Sequence, residues 1–146
     1  MRIRIITVGK AHDEKLRAAI TEYEKRISKY SKISWDIVPV SNLNTESNQI
    51  LGRLGGSYAI LLDEHGTQLS TPEVAAKIET LQNNSAKEVV FIIGGAYGIN
   101  DEVKAEADFV WSLSPLVFPH QLVRLILIEQ LYRAFDVLNG GNYHHS

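Results

Sequence analysis

There is no cysteine among the 146 residues, which excludes a disulfide framework, an iron–sulfur cluster, thiolate metal ligation and thiol catalysis. Proline is scarce at four residues, and the ten glycines are too few and too scattered for a collagen-like fibre or a flexible linker protein. A long apolar run is also missing. The most hydrophobic stretch, Leu122 to Leu138, is broken by Arg124, Glu129, Arg133 and Asp136 and falls short of the roughly 20 apolar residues that a membrane-spanning helix needs. The start, MRIRIITVGK, carries charge inside its apolar part, unlike a secretory signal. These absences set the expectation of a cytoplasmic protein without a membrane partner. Charge of one sign is lacking too: 15 basic residues against 17 acidic ones give a net charge of −2, which argues against a protein that coats nucleic acid through many phosphate contacts. What is present, 45% hydrophobic residues, suffices for the core of one domain, expected to span residues 1–146.

The charge is unevenly placed. Residues 1–32 hold nine basic and four acidic residues, leaving six and thirteen for the rest, so one face of the molecule is suited to a polyanion. The competing reading is a solvated helix face, because Asp13, Glu14, Glu22 and Glu24 interleave with the bases at helical spacing.

Periodicity predicts alternating strands and helices. Arg2 to Val8 is a first strand, and Asp13 to Tyr30 a helix with a stripe of Leu16, Ala19, Ile20, Tyr23 and Ile27. Ile33 to Val40 is a second strand, with Pro39 placing its end near an edge. Ser41 to Ser57 reads as a polar, Gly-rich loop holding one pair of helical turns around a short apolar patch. Tyr58 to Leu62 is a buried strand ending in a turn at Asp63 to Gly66, followed by a helix capped at Ser70 or Thr71. Glu88 to Ile93 is the strongest strand signal. A short helix from Asn100 or Asp101, a strand at Phe109 to Leu113, a proline-containing loop at Ser114 to Pro119 and a long helix, His120 to Leu138, complete the pattern. The class is therefore α/β, a mostly parallel sheet with helices on both faces, in which ligands sit beyond the carboxyl ends of the strands. Three segments end there: Leu62 to Gly66, Gly94 to Gly98, and Leu113 to Phe118.

The run FIIGGAYGIND places glycines between a strand and a helix, but its G-G-x-x-G spacing is not the dinucleotide fingerprint. Asp101 and Glu102 occupy the positive end of the following helix, where a phosphate would have to sit, so a phosphate-free adenosine compound suits this turn better than NAD or ATP. A tight packing turn is the alternative. Leu113, Ser114, Pro115, Leu116, Val117 and Phe118 form an apolar loop suited to a purine pocket, or equally to plain core packing. The long helix is apolar nearly all round, which predicts burial on more than one side and hence a homodimer, with full burial inside one chain as the alternative. Glu129 and Arg133 read as a structural i,i+4 ion pair, while Arg124, one turn after His120 at the helix start, is a candidate for contacting phosphate or a base edge. The tail NYHHS offers Tyr143 and His144 for proton handling rather than metal binding, since no ligand cluster accompanies them.

Taken in order, IITVGK, TEYEKRISKY, ILLDEHG, FIIGGAYG, WSLSPLVFPHQLVRLILIEQLYRAF and the closing YHH resemble, from end to end, the RlmH family of ribosomal RNA large subunit methyltransferases, of the SPOUT class. That resemblance implies a C-terminal trefoil knot and a homodimer binding S-adenosylmethionine. It also implies methyl transfer to N3 of a pseudouridine in 23S rRNA of the ribosome, with no metal. Carried over by position, it makes Leu62, Gly94 and Leu113 to Phe118 the S-adenosylmethionine contacts, and His120, Arg124, Tyr143 and His144 the catalytic, substrate-side residues. Two departures stand out. His145 follows the Tyr-His pair where the family usually has Arg or Lys, and the Ser41 to Ser57 connection is shorter and less charged than is usual. A flavodoxin-like or dinucleotide-binding module and a non-catalytic RNA-binding or ribosome-assembly protein are the competing readings.

Overall fold

Five strands, β1 (Arg2–Val8), β2 (Ile33–Val38), β3 (Tyr58–Gln68), β4 (Glu88–Ile93) and β5 (Phe109–Ser112), form one sheet of order β2-β1-β4-β3-β5 in a computed structural model that describes residues 1–145. Every strand pairing is parallel, so all the strands point their carboxyl ends to one rim. Each interval between successive strands holds one helix: α1 (Glu14–Ile27), α2 (Leu43–Leu51), α3 (Thr71–Asn83) and α4 (Asp101–Glu106). The fifth helix, α5 (His120–Leu138), follows β5.

Both faces of the sheet are covered, as a parallel sheet requires. On one face Ile3, Ile5, Val89, Phe91 and Ile93 pack with Ile20 and Ile27 of α1, Val74 and Ile78 of α3, and Leu127, Ile128, Leu131 and Phe135 of α5. On the other, Ile6, Val8, Val90 and Ile92 meet Ile50 of α2 and Val103 of α4. Side chains alternate across the pleat, so β1 and β4 feed both cores from one short run each. Each such aliphatic side chain taken fully out of water stabilises the fold by about 1.5–3 kcal/mol. β4, central and with Val89 to Ile93 all buried, anchors the sheet. β2 lies at an edge, consistent with Pro39 just beyond its end.

Local chemistry sets the helix starts. Asp13 accepts the Lys15 N–H at 2.9 Å, Asn42 the Thr45 N–H at 2.9 Å, and Asn100 the Val103 N–H at 3.1 Å. Ser70 and Glu73 form a reciprocal capping box with Pro72 in the first turn of α3. Two expectations need correction. The segment Ser41 to Ser57, expected as a loop with one pair of helical turns, is organised around a nine-residue helix, α2, of about two and a half turns. Its buried face carries Glu46 and Ser47 beside Ile50, and this interrupts the apolar stripe that would have announced it. The turn expected at Asp63 to Gly66 lies inside β3: both Leu62 and Thr67 pair with Trp111, so the four residues between them bulge out of the ladder. Asp63 supports the bulge by accepting the His65 N–H at 3.0 Å.

Candidate active site

At the carboxyl rim the three strand-end segments surround a cleft of about 630 Å³. Leu62, Gly94, Leu113, Ser114, Leu116, Val117 and Phe118 all line it, and so does His120 from the first turn of α5. Pro115 is exposed and is not part of the lining. The cleft wall also includes Asp63 and Glu64, within the expected Leu62 to Gly66 segment, and Lys104 from α4, which sequence reasoning did not single out. The bulge brings the acids there, and nothing in the hydropathy pattern signals it. Lys104 stands 3.6 Å from Asp63, so the cation nearest this end of the cleft is already paired.

Two glycines are required by close approach. A Cβ on Gly95 would lie 2.9 Å from Val8, and one on Gly66 only 2.6 Å from the Val110 carbonyl oxygen. The loop after β5 keeps its shape despite two prolines, because the Ser114 hydroxyl accepts the Leu116 N–H at 3.1 Å and the Ser112 hydroxyl donates to the Ser114 carbonyl at 3.0 Å. It leaves Leu116 and Val117 67% and 76% exposed at the cleft, an unusual amount for such side chains. The connection from β1 to α1 is fastened to α5: the Asp13 N–H donates to Gln121 Oε1 at 2.9 Å, and Gln121 Nε2 donates to the Ala11 carbonyl at 3.3 Å.

The other three candidates lie elsewhere within one chain. Arg124, one turn after His120, is 0% exposed. Its Nη1 is 3.2 Å from His12 Nδ1, while Nε and Nη2 are buried without a partner. Burial lowers the Arg124 pKa, and burial together with Arg124 and Arg17 lowers that of His12. His12 also packs edge-on against Trp35 at 4.4 Å. Arg124 is thus packed against His12 and is not among the residues that line the cleft.

Tyr143 and His144 fold back along α5. The Tyr143 N–H donates to Asp136 at 2.9 Å, its hydroxyl donates to Glu129 at 3.1 Å, and a further hydrogen bond joins it to the Tyr23 hydroxyl at 3.0 Å. Burial first, then Tyr23 and Glu129, push its pKa well above the usual phenol range. His144 Nδ1 lies 3.3 Å from Arg133, and Nε2 is buried without a partner. Arg133 is held by Glu129 at 2.6 Å, as the i,i+4 spacing predicts. Glu129 and Arg133, the α5 partners of Tyr143 and His144, lie nine and thirteen residues beyond His120 on the same helix, ~14 and ~20 Å along its axis from His120.

Among the described residues no helix is long and apolar enough to cross a membrane, and no group of three His, Cys, Asp or Glu side chains could hold a metal ion.

Residues 1–144 match a family model described as "Predicted SPOUT methyltransferase". A protein of Acetivibrio thermocellus named ribosomal RNA large subunit methyltransferase H is 41% identical, the alignment covering 99% of each chain. One of the same name from Geobacter metallireducens is 42% identical, with both chains covered in full. Among solved structures, a probable methylase family protein from Haemophilus influenzae matches with a TM-score of 0.58 at 11% identity, covering 99% of this chain and 70% of the other. A tRNA (m1G37) methyltransferase from Aquifex aeolicus matches with a TM-score of 0.52 at 14% identity, covering 91% and 70%. These two likenesses concern the fold.

Proposed function

The chain belongs to the SPOUT methyltransferase family, and on that footing we propose that it methylates 23S rRNA in the ribosome, at N3 of a pseudouridine, with S-adenosylmethionine as donor. The full-length relatives carry the name of a large-subunit rRNA methyltransferase, which supports the substrate class. One observation carries the reading: three strand-end segments from distant parts of the sequence meet around a single cleft whose wall combines the glycine loop and apolar side chains with the polar groups of Asp63, Glu64, His65, Lys104 and His120. The residues fit the donor. S-adenosylmethionine has no phosphate and bears positive charge, and the cleft offers Asp63 and Glu64 with a lysine already paired, the opposite of a phosphate cradle. Leu62, Gly94 and the Leu113 to Phe118 loop would hold it, the loop closing over its apolar parts while backbone groups read its polar edge.

When bound, S-adenosylmethionine supplies a methyl group already activated on a sulfonium. The protein's task is then mainly positioning and removal of the N3 proton. His120 and His65 both line the cleft, and the part proposed for His120, at the start of α5, is to accept that proton from N3 or to orient the base. Tyr143, with its raised pKa, stays protonated at neutral pH and serves as a hydrogen-bond donor rather than a base. With Tyr143 and His144 held against Glu129 and Arg133, ~14 and ~20 Å along α5 from their own chain's His120, the part proposed for them in the reaction is played in a second copy's site, in a homodimer. Arg124, buried beside His12, would act by holding the start of α5 in place. The family's C-terminal knot belongs to the same proposal. The basic excess of residues 1–32 is the face proposed to meet rRNA.

The test is tritiated-methyl incorporation into ribosomes from a strain lacking its own enzyme. We expect donor-dependent labelling of 23S rRNA, falling at least about a hundredfold in His120→Ala, the ordinary worth of a general acid or base. Binding to ribosomes without labelling would favour an assembly protein instead.

A further inference from the structure

Glu46 lies on the buried face of α2 and is 1% exposed, an unusual place for a carboxylate without a cationic partner. One oxygen, Oε2, accepts the Ser41 N–H at 2.7 Å. The other, Oε1, is buried and has no hydrogen-bond partner. That free oxygen faces the glycine loop of the cleft, 3.4 Å from the position a Cβ would take on Gly95. The next residue, Ser47, is 0% exposed and grips the far end of the same loop, its hydroxyl accepting the Asn100 N–H at 3.2 Å. Two consecutive polar side chains of one helix thus sit beneath the loop that forms a wall of the cleft. A buried acceptor left unpaired costs free energy, and a carboxylate more than most, so its retention at this point calls for a state in which it is paired.

We propose that Glu46 is a positioning residue of the cleft: its free oxygen accepts a backbone N–H of the Gly94 to Gly98 loop when that loop closes on S-adenosylmethionine, coupling α2 to occupancy of the site. The inference rests on S-adenosylmethionine being the ligand. Glu46 itself does not line the cleft and touches neither donor nor substrate.

Glu46→Gln separates this from a purely structural role. The amide oxygen can keep the bond from Ser41 N–H, but the second acceptor becomes a donor. The Ser41 bond persists in a weaker, neutral form while a buried unpaired charge is removed, so the two effects oppose each other and thermal stability of the unliganded protein should stay within about 2 °C of wild type. Affinity for S-adenosylmethionine, measured by calorimetry, should fall about tenfold, the worth of one charge-assisted hydrogen bond. Equal affinity in wild type and Glu46→Gln overturns the proposal while leaving the proposed donor intact. No heat from wild type overturns both. Independently of any variant, the carboxyl carbon resonance of Glu46 in selectively labelled wild-type protein should shift on addition of S-adenosylmethionine. A resonance that stays put while the ligand binds overturns the proposal as well.

Discussion

His12 shows how one residue ties the site's surroundings to pH. It is neutral in the folded protein, its pKa held below the ordinary 6.5 by burial first and then by Arg124 and Arg17. Unfolding frees it to take up a proton, so the unfolded state binds more protons as the pH falls through about 6.5. The stability due to this group is complete above that value and is lost as the pH drops towards the lower folded value. Thermal denaturation from about pH 7.5 to about 5.5 should therefore show a steeper fall in Tm for wild type than for His12→Gln. Parallel slopes would mean that the histidine is not held neutral. Gly66 makes a second demand, since a Cβ there would meet the Val110 carbonyl oxygen at 2.6 Å, and backbone cannot swing aside as a side chain can. Gly66→Ala should cost about 1–3 kcal/mol in urea denaturation and weaken donor binding, because the bulge it closes carries Asp63 and Glu64 to the cleft. Residue identity alone did not reveal Arg124's position. A cation one turn after a cleft histidine reads equally as a ligand contact or a buried strut, and only the packing of α1, α5 and Trp35 around His12 distinguishes them.

At the scale of elements, α3 has the clearest written start, with Ser70 and Glu73 satisfying each other's backbone amides at 3.3 and 2.9 Å. Hydrogen bonds from Ser70 also hold the Glu73 carboxyl below its usual range. Ser70→Ala should lower stability by about 1 kcal/mol, seen as a drop of roughly 3 °C in Tm, with methyl transfer unchanged because α3 does not line the cleft. The strands and the capped helices were legible because their signals are local: period-two or continuous apolar runs, then an Asp, Asn or Ser at the right place. The short helix α2 was not, because its inward face carries Glu46 and Ser47, whose burial depends on the glycine loop above them. The β3 bulge was read as a turn for a related reason. Asp63 to Gly66 bulges out of the ladder, and only the shared pairing of Leu62 and Thr67 with Trp111 shows that the chain rejoins the sheet.

At the scale of the molecule, much of the burial of α5 is met within one chain, where Leu127, Ile128, Leu131, Ala134 and Phe135 disappear between α1, α3 and the sheet. Leu122 and Ile126 remain partly exposed and belong to neither core, and near them at the rim stand the exposed Leu116 and Val117. These are the residues that a second copy would cover in the proposed homodimer. Leu122→Asp combined with Ile126→Asp should leave a folded chain of monomer mass by light scattering, with methyl transfer lost if the tail of one copy serves another. A wild-type protein that is already monomeric would set that reading aside. The convergence of the three strand ends was legible from strand order alone, since parallel strands must end at one rim, whereas the place of Tyr143 and His144 depends on a tail that doubles back onto Asp136 and Glu129.

The most direct measurement is amide hydrogen exchange of the purified protein with and without S-adenosylmethionine. Slowed exchange confined to residues 62–66, 94–98 and 113–118 is the predicted result. Unchanged exchange in these segments, or protection centred on another part of the surface, would contradict the assignment of the cleft as the donor site.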